Sequence, residues 1–457
     1  MNRGLVVPHL IIPVETAARE LDAKLLLTLF ATHQGMKVTL GNKALLNLRI
    51  GSLDPGVYLS HNFNAGRDRI ISIARKLGHQ VVAWDEEGLV WINAEIYRRR
   101  RADENALRNL EAIFLWGDEQ AEALRPLTEK LDIKSIITGN PRADLLRPEL
   151  RKLFQQKIKA LSAEFGDFIL VNSNFGWINH ALASQHDNRA DLEAVAAKSG
   201  FPLAYLQHRY EIYQAFTQLI PQISRRFPNR KIVVRPHPSE SREGWARQTQ
   251  GLDNVTVRYD NDLVPWLLAA SHILQNGCTT AVETAMLGRA AISYRPVIRE
   301  EHEIPQANLV SHHAEDAEAV LRLVANNKIT DTQPAGLAAA LQHKVASLNG
   351  SFASERIVGA IVSISAQVQP PKILARTLGK TLGKTLAMAR RIEKTVARNF
   401  AGSASQPDYI AQKFAPTTAG NIRDRLQEFA FLLQKPMPEV KELSDRIFEI
   451  RPSQSRS

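Results

Sequence analysis

The sequence predicts an α/β protein made of two doubly wound domains in tandem, with a helical extension behind them. Three observations carry that expectation. Short apolar runs alternate with helical patterns through most of the chain, the alternation starts afresh after a helical stretch at residues 151–166, and the composition shifts after residue 366. Strands separated by whole helices argue βαβ units and hence parallel sheets. A length of 457 residues is too great for one hydrophobic core and suits two domains plus an appendage. The expected division is residues 1–150, 151–365 and 366–457, with the first junction near 148–166.

In the first block "GLVVPHLIIPV" reads as a strand, and "ETAARELDAKLLLTLFATHQG" as an amphipathic helix closed by Gly35. "MKVTLG", "GVYLS", "HQVVAW", "AIFLW" and "KSIITG" follow as strands, separated by helical stretches such as "AGRDRIISIARKLG" and "DEQAEALRPLTEKLD". The second block repeats the pattern. Its strands are "DFILVN", "KIVVR", "NVTVRY", "HILQ" and "AAISY", with "YEIYQAFTQLIPQISRRFP" and "AEDAEAVLRLVANN" among its helices. Ligand crevices of such sheets lie at the carboxyl ends of the strands. Two facing crevices are expected to make one interdomain cleft.

Behind "QVQPP", Leu374, Leu378, Leu382 and Leu386 recur every four residues, and Ile392 and Val396 continue the stripe. Arg376, Lys380, Lys384, Arg391 and Lys394 lie off it, and Gly379 and Gly383 weaken the helix. This basic amphipathic helix is expected either to pack on its own protein or to lie on an anionic inner-membrane surface, where each basic residue contributes about 1 kcal/mol. "AGSASQPDYIAQ" reads as a linker before a last helical stretch and a disordered "RPSQSRS".

Composition excludes several classes. Hydrophobic residues make up 44% and charged residues 23%, as in an ordinary globular protein. The one cysteine, Cys278, rules out an internal disulfide and fits a reducing compartment. No small-residue cleavage site follows the first apolar run, and no segment reaches the roughly 20 apolar residues of a membrane span, so a cytoplasmic location is expected. The net charge is +11, of which residues 371–400 supply +7. The remainder is only mildly basic and shows no zinc-finger spacing or aromatic-interleaved basic stretch, so nucleic acid is not an expected partner.

Four clusters fall at the carboxyl ends of predicted strands. The first is the acidic turn of "VVAWDEEGLVW". Crowding of Asp85, Glu86 and Glu87 should raise one carboxyl toward the range of a general base; the same pattern also describes a solvated turn with Gly88 at positive φ. The second is "VVRPHPSE". Arg235 offers a planar fork for phosphate, and Pro236 and Pro238 brace His237, which can donate to phosphate or protonate a leaving oxygen, or simply be hydrogen bonded. The third is "ILQNGCTTAVETAMLG". Asn276-Gly277 ends a strand, Thr279 or Thr280 can cap the helix that follows, and its N-terminus suits phosphate, with Glu283 in reach of ribose hydroxyls. Cys278 reads as a small filler. The fourth is "LVNSNFGWINH", where Asn172, Ser173, Asn174 and Gly176 form a polar loop that either lines the cleft or is only a turn.

Glu15 and Arg19 after the first strand and His61 with Asn62 after the third are weaker candidates on the acceptor side, with helix-cap or surface roles as the alternative. The "DND" at 260–262 reads as a helix cap rather than a metal pair. No metal is expected, and with neither a P-loop nor a Gly-x-Gly-x-x-Gly after a strand, no ATP or NAD cofactor is expected either.

With these residues in place the chain resembles the GT-B glycosyltransferases, which pair two Rossmann-like domains and hold a nucleotide in the second. Glu86-Glu87-Gly88, His237-Pro238 and the segment Asn276 to Thr280 are similar to the motifs of bacterial CMP-sugar transferases, including the sialyltransferases and Kdo transferases of capsule and lipopolysaccharide. A His-Pro strand exit also occurs in CDP-glycerol and CDP-ribitol transferases of this architecture. "ITGNPRADLL" and "NGCTTAVETAMLGRAAISYRP" look like surface carbohydrate biosynthesis proteins, over roughly residues 5–330. The resemblance implies an acceptor domain at 1–150 and a nucleotide-sugar domain at 151–365. It implies that Glu86 or Glu87 acts on the acceptor or anomeric carbon and that His237 neutralises or protonates the departing CMP phosphate. Thr279 and Thr280 would bind that phosphate.

The expected protein is thus a metal-independent transferase that moves an acidic sugar from a CMP-sugar donor onto a surface glycan or lipid-linked glycan acceptor. A UDP-sugar transferase or UDP-sugar 2-epimerase is the alternative within the fold. A non-catalytic nucleotide- or glycan-binding scaffold is the alternative outside it, against which the acids count, since they would weaken anion binding.

Overall fold

The computed structural model describes residues 9–180, 191–260, 262–327, 329–332, 334, 337–367, 373–397, 411 and 413–453. The chain forms two compact units, one gathering residues 1–89, 97–150 and 343–457, the other residues 90–96 and 151–342. These are not three consecutive blocks. The chain leaves the second unit after residue 342 and goes back to the first.

The first unit holds strands β1 (Leu10–Val14), β2 (Val38–Asn42), β3 (Val57–Ser60), β4 (Gln80–Trp84), β5 (Ala112–Leu115) and β6 (Ser135–Ile137). The second holds β7 (Ile169–Asn172), β8 (Ile232–Arg235), β9 (Val255–Val257), β10 (His272–Gln275), β11 (Ala291–Tyr294) and β12 (Ser311–Ala314). The tail contributes β13 (Glu439–Ser444) and β14 (Ile447–Arg451) to the first unit.

The first sheet runs β13-β14-β2-β1-β3-β4-β5-β6, and β1 to β6 pair in parallel. The residues of β1, β2 and β3 are all buried, as parallel strands covered on both faces require. The second sheet runs β12-β11-β10-β7-β8-β9, wholly parallel. There Phe216, Ile220 and Ile223 of helix Leu203–Arg226 pack with Ile169, Val171, Ile232 and Val234. In each unit the chain starts on an inner strand, builds to one side, then crosses to the other. The order reverses between β1 and β3 in one sheet and between β7 and β10 in the other. Doubly wound sheets bind ligands at that switch point.

Helix Ala17–His33 departs from the expected amphipathic pattern. Leu25, Leu26, Leu27 and Leu29 are all buried, because helices Ala353–Gln367 and Ala419–Leu432 cover the side turned away from the sheet. Arg425 of the latter forms a two-pronged ion pair with Asp22. The tail does not end as a helix. β13 and β14 form a hairpin, and β14 pairs antiparallel with β2, burying Ile447, Phe448 and Ile450. Complete burial of such a side chain contributes about 1.5–3 kcal/mol, so the tail is integral to the first unit.

The segment "GNPRAD" explains the return of the chain. Asp144 is fully buried and accepts from Ala353 N at 2.8 Å, Ser354 N at 2.9 Å and Ser354 Oγ at 2.8 Å, anchoring the start of helix Ala353–Gln367. Arg147 donates to the Gly350 carbonyl at 2.9 Å. Gly139, at φ +80°, is pressed against Ser347, whose Oγ lies 2.2 Å from where a Cβ would sit.

Helix Ile373–Ala397 packs on helix Asp68–Leu77. Gly383 serves close approach here, since a Cβ would lie 3.0 Å from Leu77. Gly383 and Ala387 face inward, whereas Leu382, Met388, Ile392 and Val396 are each about half exposed. The side chains of Leu374, Arg376, Leu378, Gly379 and Lys380, most of the expected linker at 401–412 and the last four residues lie outside the described residues. Among the described residues no helix is long and apolar enough to cross a membrane.

Candidate functional site

In the second unit the switch point gathers the loops after β7 and β10. Asn172 ends β7, and its Nδ2 donates to Thr280 Oγ1 at 2.6 Å. Asn174 Nδ2 donates to the Gly277 carbonyl at 3.1 Å, and Asn276 Nδ2 to the Tyr294 carbonyl at 2.7 Å. Gly277 has φ +54°, a conformation that costs glycine little. Neither threonine caps helix Thr279–Met286. Cys278 holds the cap position and no side chain caps it, so its first-turn N–H groups lie at the switch point.

A residue not singled out from the sequence completes this cluster. Arg209, on helix Leu203–Arg226, is buried and donates to the Asn174 carbonyl at 2.6 Å and to Asn276 Oδ1. Its guanidinium lies 4.9 Å from the Phe175 ring centroid. Among the described residues no carboxylate pairs with it. A buried cation held only by amide oxygens is costly, and an arriving anion offsets that cost.

Arg235 stands at the strand end expected for it. It ends β8 buried and donates to the Asp260 carbonyl at 2.9 Å, 5.8 Å from the Tyr259 ring. Asp260 and Asp262 do not cap helix Val264–Ala269; both pair with Lys157, at 3.1 and 2.9 Å.

His237 follows Arg235 and is held through Glu240. This buried carboxylate accepts from His237 N at 3.0 Å, Phe175 N at 3.0 Å, Ser173 Oγ at 2.9 Å and Trp245 Nε1 at 2.7 Å. Burial pushes its pKa up, against those donors. Glu240 therefore ties the His237 loop to the loop after β7. The Ser239 N–H donates to His237 Nδ1 at 3.2 Å, so a neutral ring carries its proton on Nε2, the form that can donate to an oxyanion. Gly176 is needed beside it, because a Cβ there would lie 2.1 Å from Ser239 Oγ. Glu283 is buried within helix Thr279–Met286.

In the first unit the acidic turn follows β4, but its three acids are separated by their own cations. Asp85 is completely buried and structural, accepting from Tyr97 Oη at 3.0 Å and from Arg101. Glu87 makes a two-pronged pair with Arg19, at 2.7 and 3.2 Å. Partial burial acts to raise its pKa, and Arg19, Arg142 and Arg101 outweigh it and hold the carboxyl at about 2. Glu86 is buried. Its Oε1 meets Trp84 Nε1 at 2.8 Å and Lys24 Nζ at 3.1 Å, while Oε2 is without a partner. Burial raises its pKa, and the charge of Glu20 adds to that. The expected raised carboxyl thus exists, but it is crowded by Glu20 across Lys24, which pairs with Glu20 at 2.5 Å. Arg142 Nη1 holds the Glu86 carbonyl at 2.9 Å. Gly88 is not at positive φ; Gln120 Nε2 sits 2.3 Å from where its Cβ would be, which excludes a side chain.

At the first unit's switch point, Glu15 after β1 and His61 after β3 meet, Oε2 to Nε2 at 2.6 Å. Burial lowers His61 to about 4, so it is neutral at pH 7. Lys43, directly after β2, pairs with the same Oε2 at 2.5 Å, and Lys413 with Oε1 at 3.0 Å. Neither lysine was expected.

No family model matches the chain, and no curated protein matches it. Solved structures do. A UDP-GlcNAc 2-epimerase from Neisseria meningitidis bound to UDP-GlcNAc is similar over 78% of this chain and 100% of its own, at 13% identity and TM-score 0.50. The wall teichoic acid polymerase TagF is similar over 79% of this chain and 90% of that chain, at 10% identity and TM-score 0.50. At such identities the likeness is one of fold. It is the GT-B type, with two Rossmann-like, parallel-rich sheets.

Proposed function

We propose that the protein is a sugar-processing enzyme of the GT-B type that transfers an acidic sugar from a CMP-activated donor to a surface glycan or lipid-linked glycan. The observation that carries this reading is the second unit's switch point, where, among the described residues, Arg209 has no carboxylate partner and the first turn of helix Thr279–Met286 has no side-chain cap. Both features suit phosphate. The two similar structures are named for proteins of nucleotide-sugar and teichoic acid chemistry, which favours a nucleotide-activated donor. The choice of CMP rests on the resemblance of the acid-acid-Gly, His-Pro and Asn276 to Thr280 motifs.

In this reading Thr279, Thr280 and Arg209 hold the donor phosphate, and His237 donates from Nε2 to the departing CMP oxygen. Asn172, Asn174, Asn276 and Gly277 fix the loops. Glu283 would face the ribose, and Arg235 would support the site through Asp260. Glu86, with its raised pKa and unpartnered Oε2, accepts the acceptor hydroxyl proton. Glu87, with Arg19, orients the acceptor. A preorganised donor to a developing oxyanion contributes about 10²–10³ in rate, and a general base about 10²–10⁴. Turnover with CMP-linked acidic sugars is expected to fall by those factors in His237→Ala and Glu86→Gln. Near-normal turnover in both, or reaction only with UDP-sugars, would overturn the reading.

The outward face of helix Ile373–Ala397 supports attachment to an anionic membrane surface. Leu382, Met388, Ile392 and Val396 are exposed beside Lys384 and Arg391. Co-sedimentation with phosphatidylglycerol vesicles is expected at low salt and should be lost in L382D/I392D. Equal binding by that variant would refute attachment. Ending the chain near residue 366 is no substitute, because it removes β14 from the sheet.

A further inference from the structure

Helix Ala17–His33 brings two buried charges to the turn after β4 that the proposed chemistry does not use. Lys24 Nζ lies 2.5 Å from Glu20 Oε2 and 3.1 Å from Glu86 Oε1, and it donates to the Pro13 carbonyl at 2.9 Å. The Lys24 side chain is 1% exposed, and those of Glu20 and Glu86 are 8% exposed each. One ammonium thus serves two carboxylates shielded from water. A buried lysine facing Glu86 alone would lock it into a permanent ion pair, and a locked carboxylate is a poor proton acceptor. Glu20 removes that lock.

The two carboxylates are not equivalent. Glu20 stands in the first turn of its helix, where the helix dipole favours negative charge. Besides Lys24 it accepts from Glu15 N at 2.9 Å and Thr16 N at 3.0 Å. Burial acts to raise Glu20, and Lys24, His61 and the Glu15 N–H outweigh it, so its pKa is lowered. Glu86 Oε1 accepts from Trp84 Nε1 at 2.8 Å, while Oε2 has no partner. Burial raises Glu86, with the charge of Glu20 adding to it and Lys24 and Arg142 opposing. The other charged groups at this turn are Asp85 with Arg101 and Glu87 with Arg19, each ion-paired. His61 completes the surroundings, its carbonyl accepting from Glu86 N at 3.1 Å.

We propose that Glu20 is a positioning residue for Glu86: it keeps its own charge, holds Lys24, and leaves Glu86 Oε2 as the place in this buried group where a proton settles. The inference rests on reading Glu86 as the base. In that reading the proton of the acceptor hydroxyl goes to Oε2. The electron pair left on the hydroxyl oxygen forms the bond to the sugar carbon as the bond to the phosphate oxygen breaks. Lys24 then keeps a full ion partner in Glu20, so arrival of the proton strands no buried cation. Without Glu20 an unpaired ammonium would oppose the transfer.

The experiment is a carbon NMR titration of the glutamate carboxyls of the full chain, with the Glu86 signal identified by its loss in Glu86→Gln. In the unmodified chain Glu86 is expected to titrate above the free value of about 4.3 and Glu20 below it. Glu20→Gln removes the charge and keeps one acceptor oxygen. The Glu86 midpoint should then fall by about one pH unit or more, the scale on which a nearby charge acts. The acid limb of kcat/KM for sugar transfer should move down with it, because that limb reports the base of the free enzyme. Glu20→Asp, which keeps the charge, should hold the limb near its wild-type position. A Glu86 midpoint at or below the free value in the unmodified chain would overturn the inference without any change at Glu20, and so would a midpoint that Glu20→Gln leaves in place. A shifted Glu86 with no transfer from CMP-sugars would keep the hold of Glu20 on Glu86 and sink the donor reading; transfer with an acid limb that ignores Glu20→Gln would do the reverse.

Discussion

Replacing Arg209 by alanine is expected to weaken CMP binding by about 10–150-fold, the equivalent of the 1.5–3 kcal/mol of a hydrogen bond to a charged group. The expectation follows from what Arg209 lacks. It is buried against Phe175, donates only to the Asn174 carbonyl and Asn276 Oδ1, and has no carboxylate partner among the described residues. A residue of purely structural value in that place would be better apolar, since desolvating an unpaired guanidinium costs several kcal/mol. Binding of a phosphate beside the first turn of helix Thr279–Met286 reverses the sign of the argument. The variant should therefore lose affinity far more than stability. Arg209→Lys is expected to recover part of the loss, as a point charge without the planar fork. If melting falls steeply while CMP affinity stays, Arg209 merely braces the loops and the phosphate assignment fails.

Asp144→Ala is expected to lower the free energy of unfolding by about 2–4 kcal/mol, measured in urea. A helix N-cap alone is worth about 1 kcal/mol, and each buried donor left without an acceptor adds about 1–3 kcal/mol. Three donors from Ala353 and Ser354 depend on this carboxylate. The variant also has a pH signature. Burial pushes Asp144 up to about 6 against those donors. Its folded pKa is therefore above its unfolded value, and the folded state binds more protons between about pH 4 and 6. Stability from this group is present below that window and is lost as pH rises through it. The variant should lack that limb of the pH curve; a wild-type curve with no such limb, or a loss below 1 kcal/mol, would contradict the role given to Asp144.

The parallel sheets were legible because their strands are short apolar runs divided by full helices, a local pattern that no distant contact needs to complete. The clusters after β4, β7, β8 and β10 were legible for the same reason, since a strand end fixes where its next few residues go. What was hidden depends on partners far away in the chain. Arg209 shares the apolar stripe of its helix with Leu206, Ile212 and Phe216, and a lone arginine on such a stripe is a signal that could have been used. Lys43 follows β2 as Glu15 follows β1, yet only the topology sets Lys43 against the Glu15 carboxylate. The hairpin of β13 and β14 is hidden in the sequence because its turn has no glycine; Arg446 takes φ +54° there instead. The burial of helix Ala17–His33 on all sides follows from tail helices some hundreds of residues later. Glu86 shows a right expectation for a different reason. A raised carboxyl was expected from its neighbours in sequence, whereas Asp85 and Glu87 are neutralised by Arg101 and Arg19 and the crowding comes from Glu20.

The central claim, a cytidine-nucleotide phosphate site built on the loops after β7 and β10, is tested most directly by calorimetric titration of the unmodified chain with CMP and with UMP. The account predicts saturable binding of CMP at one site and binding of UMP at least about tenfold weaker, a difference of about 1.4 kcal/mol. Absence of CMP binding, or UMP bound as tightly, would contradict it.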